Sequence, residues 1–127
     1  MADPIKYDGK LTCALGVTDR KAAAAWYADV LGFKLLYDAE DIGWCEMQSP
    51  VENVCVGFSD VENPEVRGGP TLVFGVDDVD AVRSRLEGEG VKFDGDTVTY
   101  PGLVMLATFF DPDGHRYMLS QSLGEGC

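Results

Sequence analysis

The fold of this chain is decided by a segment that occurs twice. Residues 11–38 read LTCALGVTDRKAAAAWYADVLGFKLLYD, and residues 70–96 read PTLVFGVDDVDAVRSRLEGEGVKFDGD. Each copy opens with an apolar run that ends in Gly-Val-x-Asp, and each continues through a helical pattern to a glycine, a hydrophobic residue and a lysine. Such self-similarity is typical of a repeated structural unit. The sequence therefore predicts two copies of one module in tandem.

Each copy contains a helix with a start signal and a stop signal. Asp19 and Asp78 stand at the expected N-caps, and Gly32 and Gly90 can adopt the positive φ that ends a helix. After each helix, apolar or alternating runs predict three strands. We expect these strands at FKLLYD, IGWCEMQ and NVCVGF in the first copy and at VKFDG, LVMLATFF and HRYMLSQ in the second.

Each copy thus reads β-α-β-β-β. The first module covers about residues 10–61 and the second about residues 69–123 of a single domain, residues 1–127. The connection at residues 59–70, SDVENPEVRGGP, is polar, rich in proline and glycine, and too short to be a domain. We therefore expect the two modules to share one core.

Aromatic and thiol side chains in the apolar runs are interpreted as core residues. Trp26 and Tyr27 fall on the apolar stripe of the first helix, which is predicted to pack on a sheet. The four cysteines form no C-x-x-C pair, and a thiol within an apolar run behaves as a small hydrophobe. We expect reduced thiols at Cys13, Cys45, Cys55 and Cys127.

The charge balance limits the possible partners. With 22 acidic and 10 basic side chains the net charge is −12, which repels nucleic acid and anionic lipid surfaces. The acidity either keeps the protein soluble or attracts cationic ligands, and composition does not separate the two. No apolar run approaches the roughly 20 residues that span a bilayer, and the start MADPIKYDGK lacks the features of a secretory signal. We predict a cytoplasmic protein with no nucleic-acid or membrane partner.

These features together resemble the vicinal oxygen chelate superfamily, which includes glyoxalase I, extradiol dioxygenases, fosfomycin resistance enzymes and bleomycin-binding proteins. The resemblance lies in the junctions VTDRKAAAAWYADVLGFK and VDDVDAVRSRLEGEGVKF and in the hairpin FFDPDGHRYML, and it covers residues 10–122. It implies an α+β fold, the glyoxalase/bleomycin resistance fold, in which two βαβββ modules in tandem form curved mixed sheets around a cavity.

The resemblance also implies where metal ligands would stand. Metal-dependent members of the superfamily carry His near the start of the first strand of a module and Glu on its last strand. The His positions hold Thr12 and Thr71, and the Glu positions hold Met118 and an apolar residue near Val56. Because a transition metal needs three or more converging donors, we predict no metal, no other cofactor and no catalytic residue. One alternative is a site assembled across a dimer from Glu46, Asp111, Asp113 and His115.

The only histidine, His115, follows the turn sequence Asp111-Pro-Asp-Gly114. Proline suits position i+1 of a type I turn, and Gly114 suits a left-handed position. The resemblance implies a structural role for His115, and no Ser or Cys stands at a recognised spacing for nucleophilic catalysis. We interpret His115 as an exposed residue that flanks the turn.

Strand alternation predicts which side chains face the cavity. On the first strand of each module, alternation places toward the cavity the side chains of Thr12, Ala14, Thr71 and Val73. The remaining predicted ligand-binding residues are Trp44, Glu46, Arg116 and Met118. For Glu46 two interpretations stay open. It accompanies Trp44 in the cavity as a charge for a cationic ligand, or Cys45 and Met47 point inward and Glu46 is solvated at a strand edge.

We therefore predict a metal-free homodimer that binds a small organic molecule, neutral or cationic. It would resemble the bleomycin-type sequestration proteins, which hold a drug or metabolite, more than glyoxalase I. One alternative is a lyase, isomerase or dioxygenase of the same superfamily with a non-standard active site or with Glu46 as its base. A third is an accessory dimer with no ligand of its own.

Overall fold

The computed structural model describes residues 8–66 and 71–124, and the chain divides into two units between Glu65 and Val66. This boundary lies in the polar connection at residues 59–70, so the two units correspond to the two modules expected from the repeat. The union of the modules in a single domain, residues 1–127, stays a prediction.

Module one is a four-stranded mixed sheet with one helix packed on it. Its elements are β1 (Leu11–Val17), α1 (Arg20–Leu31), β2 (Lys34–Ala39), a 3-10 turn (Glu40–Ile42), β3 (Trp44–Gln48) and β4 (Val54–Asp60). The strand order is β1-β4-β3-β2, with β1 parallel to β4 and the other pairs antiparallel. The predicted β-α-β-β-β order is confirmed for this module. The predicted third run, IGWCEMQ, begins as a strand only at Trp44, because Ile42 belongs to the 3-10 turn.

Module two repeats this architecture. Its elements are β5 (Leu72–Gly75), α2 (Val79–Gly88), β6 (Val98–Tyr100), β7 (Val104–Phe110) and β8 (Arg116–Ser122). The strand order is β5-β8-β7-β6, and again only the first pair is parallel. The described chain is therefore an α+β structure with two four-stranded mixed sheets, as predicted.

One strand of module two was predicted in the wrong place. The run VKFDG is not a strand, since only Phe93 forms a bridge there, to Phe109 on β7. The Phe93 ring packs on Phe109 at 5.6 Å and lies under the Arg83 guanidinium at 4.6 Å. Arg83 also donates to the Gly95 carbonyl at 2.7 Å, and Gly95 has a φ of 70°. These contacts favour a turn over an extended strand, and β6 begins only at Val98.

Both helices begin at the predicted caps. The Asp19 carboxylate accepts hydrogen bonds from the backbone N–H groups of Lys21 and Ala22, and that of Asp78 accepts one from Ala81. Gly32 ends α1 with a φ of 76°. Neither helix in the described part of the chain is long and apolar enough to cross a membrane.

The core of module one forms under α1. Tyr27 is fully buried, and its ring packs against Phe33 at 5.2 Å and Phe58 at 4.6 Å. Trp26, its neighbour on the helix, is half-buried. Burial of this stripe confirms that it packs on the sheet.

The three described cysteines, Cys13, Cys45 and Cys55, are free thiols. Cys45 is buried and the other two are half-buried. Burial raises the pKa of the Cys13 and Cys45 thiols. Cys127 lies outside the described residues.

The turn before β8 has the predicted geometry, but the environment of His115 differs from the prediction. Asp111 Oδ1 accepts from the backbone N–H groups of Asp113 at 3.0 Å and His115 at 2.8 Å, and Gly114 has a φ of 97°. His115 is only 7% exposed, so its predicted exposure is wrong. Closure of the turn by these hydrogen bonds leaves His115 buried ahead of β8, which begins at Arg116.

Candidate ligand-binding face

The sheet of module one has one face covered by α1 and an opposite face that α1 leaves open. Cys45 and Met47 on β3 are 1% and 0% exposed on the α1 side. Trp44 and Glu46 alternate with them and are half-buried on the other side. Because β3 lies between β2 and β4, Glu46 does not stand at a sheet edge. We call this side the open face of module one, and define it by Thr12, Ala14, Tyr37, Trp44, Glu46 and Gly57.

The strand register places four of these residues in one row across the sheet. Ala14 pairs with Gly57, Gly57 pairs with Glu46, and Glu46 pairs with Tyr37. Side chains of directly paired residues project from the same face. Thr12 lies two residues before Ala14 on β1 and therefore shares this face. The structure thus brings the four residues predicted from module one onto a single surface.

The indole of Trp44 lies across the backbone of Gly57. A Cβ atom placed on Gly57 would come within 2.1 Å of Trp44 Cη2 and Cζ2, so no other residue fits there without moving the ring. Trp44 Nε1 donates a hydrogen bond to the Tyr37 hydroxyl at 3.1 Å. Tyr37 is 48% exposed. The two rings therefore form an exposed aromatic surface joined by a hydrogen bond.

Sequence reasoning missed Tyr37. Strict alternation along β2 places Leu35 and Tyr37 on the same face. The register shifts between them, so that Leu35 pairs with Met47 on the α1 side and Tyr37 pairs with Glu46 on the open face. A β-bulge inserts one residue in this way, and no residue type in KLLYD marks it.

Glu46 is the carboxylate of this surface. Within residues 8–66 and 71–124 its side chain forms no hydrogen bond or salt bridge. A carboxylate beside two aromatic rings suits a cation, which gains from both the ring faces and the opposite charge. The same carboxylate could accept a proton from a bound molecule.

Two other carboxylates of module one lie near the α1 side and are already paired. Arg20, 7% exposed, donates to Asp38 from Nε at 2.8 Å and from Nη2 at 2.9 Å. Its backbone N–H donates to Asp60 Oδ1 at 2.7 Å, and its Nη1 donates to Asp60 Oδ2. Hydrogen bonds from Arg20 lower the pKa of both carboxyl groups. These three residues form what we call the Arg20 cluster.

A pocket of about 390 Å³ lies between α1 and the sheet. Its walls are mostly small or apolar, and its charged groups are already paired, because Asp38 is bonded to Arg20 and Lys21 lies 3.5 Å from Glu40. This pocket therefore offers mainly apolar surface to a ligand. Its lining consists of Lys21, Ala24, Ala25, Ala28, Leu35, Asp38, Cys45 and Met47.

Three of the residues predicted from module two, Val73, Arg116 and Met118, lie on the face of its sheet opposite Tyr117 and Leu119, which are buried. Val73 pairs with Met118, and Arg116 alternates onto the same side two residues earlier. Val73 is 50% exposed, and Arg116 is also exposed. Thr71 directly precedes β5. The predicted ligand-binding residues thus form two groups, one within each module.

The positions that the resemblance assigns to metal ligands do not fit a metal. In module two the position assigned to a Glu ligand is Met118, which pairs with Val73 on the first strand of the module. The equivalent pair in module one is Gly57 with Ala14, so the Glu position there is Gly57. Val56 is fully buried on the α1 side. Glycine, methionine and threonine side chains cannot supply a site for Zn, Fe, Ni or Mn. In the described ranges, no three His, Cys, Asp or Glu side chains are grouped to hold an ion.

Residues 11–119 match the family model described as the Glyoxalase/Bleomycin resistance protein/Dioxygenase superfamily. The chain belongs to this superfamily. The resemblance found in the repeated junctions and the hairpin is thereby confirmed, and the tandem βαβββ order is the fold of the superfamily. A search among curated proteins finds no match for this superfamily member.

Several solved structures of the superfamily are similar to the chain. TnmS3, an antibiotic binding protein from Streptomyces sp. CB03234, is 28% identical, with a TM-score of 0.75 over 95% of this chain and 99% of that one. A glyoxalase/bleomycin resistance protein from the same strain is also 28% identical, with a TM-score of 0.69 over 88% and 99%. A superfamily member from Sphaerobacter thermophilus DSM 20745 is 23% identical, with a TM-score of 0.76 over 93% of this chain and 98% of that one. At this identity, the similarity shows only that the fold is shared.

Proposed function

We propose that this protein binds a small organic molecule on the open face of module one without the help of a metal. The observation that carries the proposal is the Trp44–Tyr37 pair, in which Trp44 lies over Gly57, beside the Glu46 carboxylate, which has no partner among the described residues. Few polar groups and large aromatic rings are typical of ligand sites. The likeness to TnmS3, an antibiotic binding protein, supports sequestration as the function.

The chemistry of this surface favours a partly aromatic ligand that is neutral or cationic. Planar molecules stack on an indole, and a cation gains further from the ring faces and from Glu46. The net charge of −12 adds a salt-dependent attraction for cations and a repulsion for anions. Thr12 and Ala14 carry small side chains and leave space over β1. Thr71, Val73, Arg116 and Met118 stay proposed ligand-binding residues within module two.

Two dyes of similar shape test this proposal by isothermal titration, the cation N-methylacridinium and the anion acridine-9-carboxylate. The cation should bind more tightly than the anion, and its affinity should fall when salt is raised. Trp44→Ala should weaken binding by about fivefold or more, since stacking contributes roughly 1–3 kcal/mol. Glu46→Gln should weaken the cation alone.

The matched control is Glu52→Gln, which removes the same charge from an exposed loop residue outside the open face. It should leave both affinities unchanged apart from a small long-range effect on the cation. Tighter binding of the anion, or full affinity for the cation in both Trp44→Ala and Glu46→Gln, would reject the site.

The second candidate is an enzyme of the superfamily that uses Glu46 as a general base. The side chain of Glu46, which no group in the described ranges pairs with on the open face, is the observation that favours it. Glyoxalase activity on the hemithioacetal of methylglyoxal and glutathione should be absent, because Thr12, Thr71, Gly57 and Met118 at the assigned positions cannot hold the metal that polarises the enediolate oxygens. Metal-stimulated turnover that disappears in Glu46→Gln would establish the enzyme instead.

We also propose a homodimer. β2 is an edge strand of its sheet, and Leu35 and Leu36 on it are each 49% exposed, so a partner would cover an apolar edge. Sedimentation across micromolar concentrations should give twice the chain mass, and a monomer throughout would contradict this. The cytoplasmic location stays a prediction.

A further inference from the structure

β2 carries two neighbouring residues that act on opposite faces of the sheet. Tyr37 pairs with Glu46 and points to the open face, whereas Asp38 pairs with Cys45 and points to the α1 side. β2 has a neighbour on one side only, and its register shifts between Leu35 and Tyr37. A slip of one residue in such a strand would exchange the two faces. A contact that holds Asp38 on the α1 side therefore also favours the open face for Tyr37.

The Arg20 cluster supplies that contact from the α1 side. The Asp38 carboxylate receives two hydrogen bonds from the Arg20 guanidinium, at 2.8 and 2.9 Å. A two-point contact of this kind fixes orientation as well as distance. The guanidinium is itself held by Asp60 on β4, so that the edge strand β2 is connected to the central strand β4. Arg20 is 7% exposed, so little freedom is left to the group that holds Asp38.

Asp38 and Tyr37 are consecutive residues, so a contact that fixes Asp38 on one face also affects Tyr37 on the other face. If Asp38 is fixed, the side chain of Tyr37 must project from the open face, where its hydroxyl accepts from Trp44 Nε1 at 3.1 Å. We propose that Arg20 and Asp38 are positioning residues for the Tyr37–Trp44 pair, and that they tune ligand affinity from the opposite side of the sheet. This inference rests on the proposed function of the open face.

The test compares Asp38→Asn with the wild-type protein by NMR of the indole N–H groups in the absence of ligand. The chain has two tryptophans, so Trp26 serves as an internal reference for the fold. Tyr37→Phe removes the acceptor and should speed exchange of the Trp44 indole proton by about two- to tenfold, as expected for one hydrogen bond. Asp38→Asn should act in the same direction, by at least about twofold, with the Trp26 signal unchanged.

The same variants are then titrated with N-methylacridinium. Asp38→Asn should weaken binding by about three- to tenfold, although Asp38 does not lie on the binding surface. Asp41→Asn is the control, because it removes the same charge from an exposed residue of the 3-10 turn whose side chain forms no hydrogen bond or salt bridge within residues 8–66 and 71–124. It should leave both the Trp44 exchange rate and the affinity close to wild type.

Asp38→Glu keeps the charge and lengthens the side chain, and it replaces Asp38→Asn in both measurements if the latter does not fold. Arg20→Lys keeps the charge but loses the two-point contact, and should reproduce the effect. Wild-type Trp44 exchange and wild-type affinity in a folded Asp38 variant would overturn the inference. Unchanged affinity in Trp44→Ala would instead reject the proposed site, while the exchange rates would still decide whether Asp38 positions the pair.

Discussion

At Gly57 the absence of a side chain allows the indole of Trp44 to lie against the sheet. A Cβ atom at this position would overlap the ring at 2.1 Å, so Gly57→Ala should displace Trp44 and weaken N-methylacridinium binding to about the level of Trp44→Ala. Gly75→Ala is the control, because a Cβ atom there meets nothing within 4 Å. Tryptophan fluorescence and titration measure both variants. Equal behaviour of the two would show that the ring does not need Gly57.

The turn before β8 depends on Gly114 more than on His115. Gly114 has a φ of 97°, which a β-branched residue resists, and Gly114→Val should lower the free energy of unfolding by about 1–3 kcal/mol. His115→Asn exchanges a buried imidazole for a smaller polar group and should cost about 1 kcal/mol. Urea unfolding measures both. Loss of dye binding in a folded His115→Asn variant would contradict the structural role assigned to this histidine.

Among the elements, α1 depends on its cap. Asp19 accepts two backbone hydrogen bonds, at 3.0 and 3.1 Å, that the first turn cannot satisfy internally. Asp19→Ala should therefore lower the free energy of unfolding by about 0.5–2 kcal/mol. Asp29→Ala removes the same charge near the other end of α1, where a negative charge is unfavourable, and should be neutral or slightly stabilising. Similar losses in both variants would show that the cap contributes nothing.

The connection of β2 to β4 should make stability depend on pH. Hydrogen bonds from Arg20 lower the pKa of Asp38 in the folded state, and the charges of Arg20 and Lys21 act in the same direction. A lowered folded pKa means that this stability is fully present above the ordinary carboxyl pKa and is lost as pH falls through the folded value. The stability difference between wild type and Asp38→Asn should therefore be constant near neutral pH and shrink below about pH 4.

Urea unfolding of both proteins at a series of pH values measures this difference. Two other titratable groups lie near Asp38. The pKa of Asp60 is lowered by Arg20, and Cys45, whose thiol is desolvated, pairs directly with Asp38. Both groups are present in wild type and in the variant. A difference that stays constant down to pH 3 would show that the Asp38 charge does not contribute to folding.

For the whole molecule, the residues at the assigned metal positions predict a protein without a resident metal. Thr12, Thr71, Gly57 and Met118 cannot form a ligand set, so purified protein should carry no stoichiometric transition metal, and chelators should leave its Tm unchanged. Elemental analysis and thermal unfolding with and without chelator are the measurements. About one Zn, Fe, Ni or Mn per chain would contradict the prediction, and would point to ligands gathered from outside the assigned positions.

Local interactions account for what the sequence by itself determined. The caps at Asp19 and Asp78, the end of α1 at Gly32 and the turn from Asp111 to Gly114 each depend on residues within five positions of one another. The repeat of these signals was enough to predict the order of elements and the superfamily. Alternation was enough to predict that Trp44 and Glu46 share a face, because β3 is regular.

Only the tertiary structure decided the features that depend on pairing between distant strands. The shift between Leu35 and Tyr37 moves Tyr37 to the open face, and the register of β3 on β4 brings Gly57 beneath Trp44. The late start of β6 has the same origin, since it follows the contacts of Phe93 with Arg83 and Phe109. Hydrogen-bond register is a property of two strands together, and one extra residue in either strand exchanges the faces without leaving a trace in composition or periodicity.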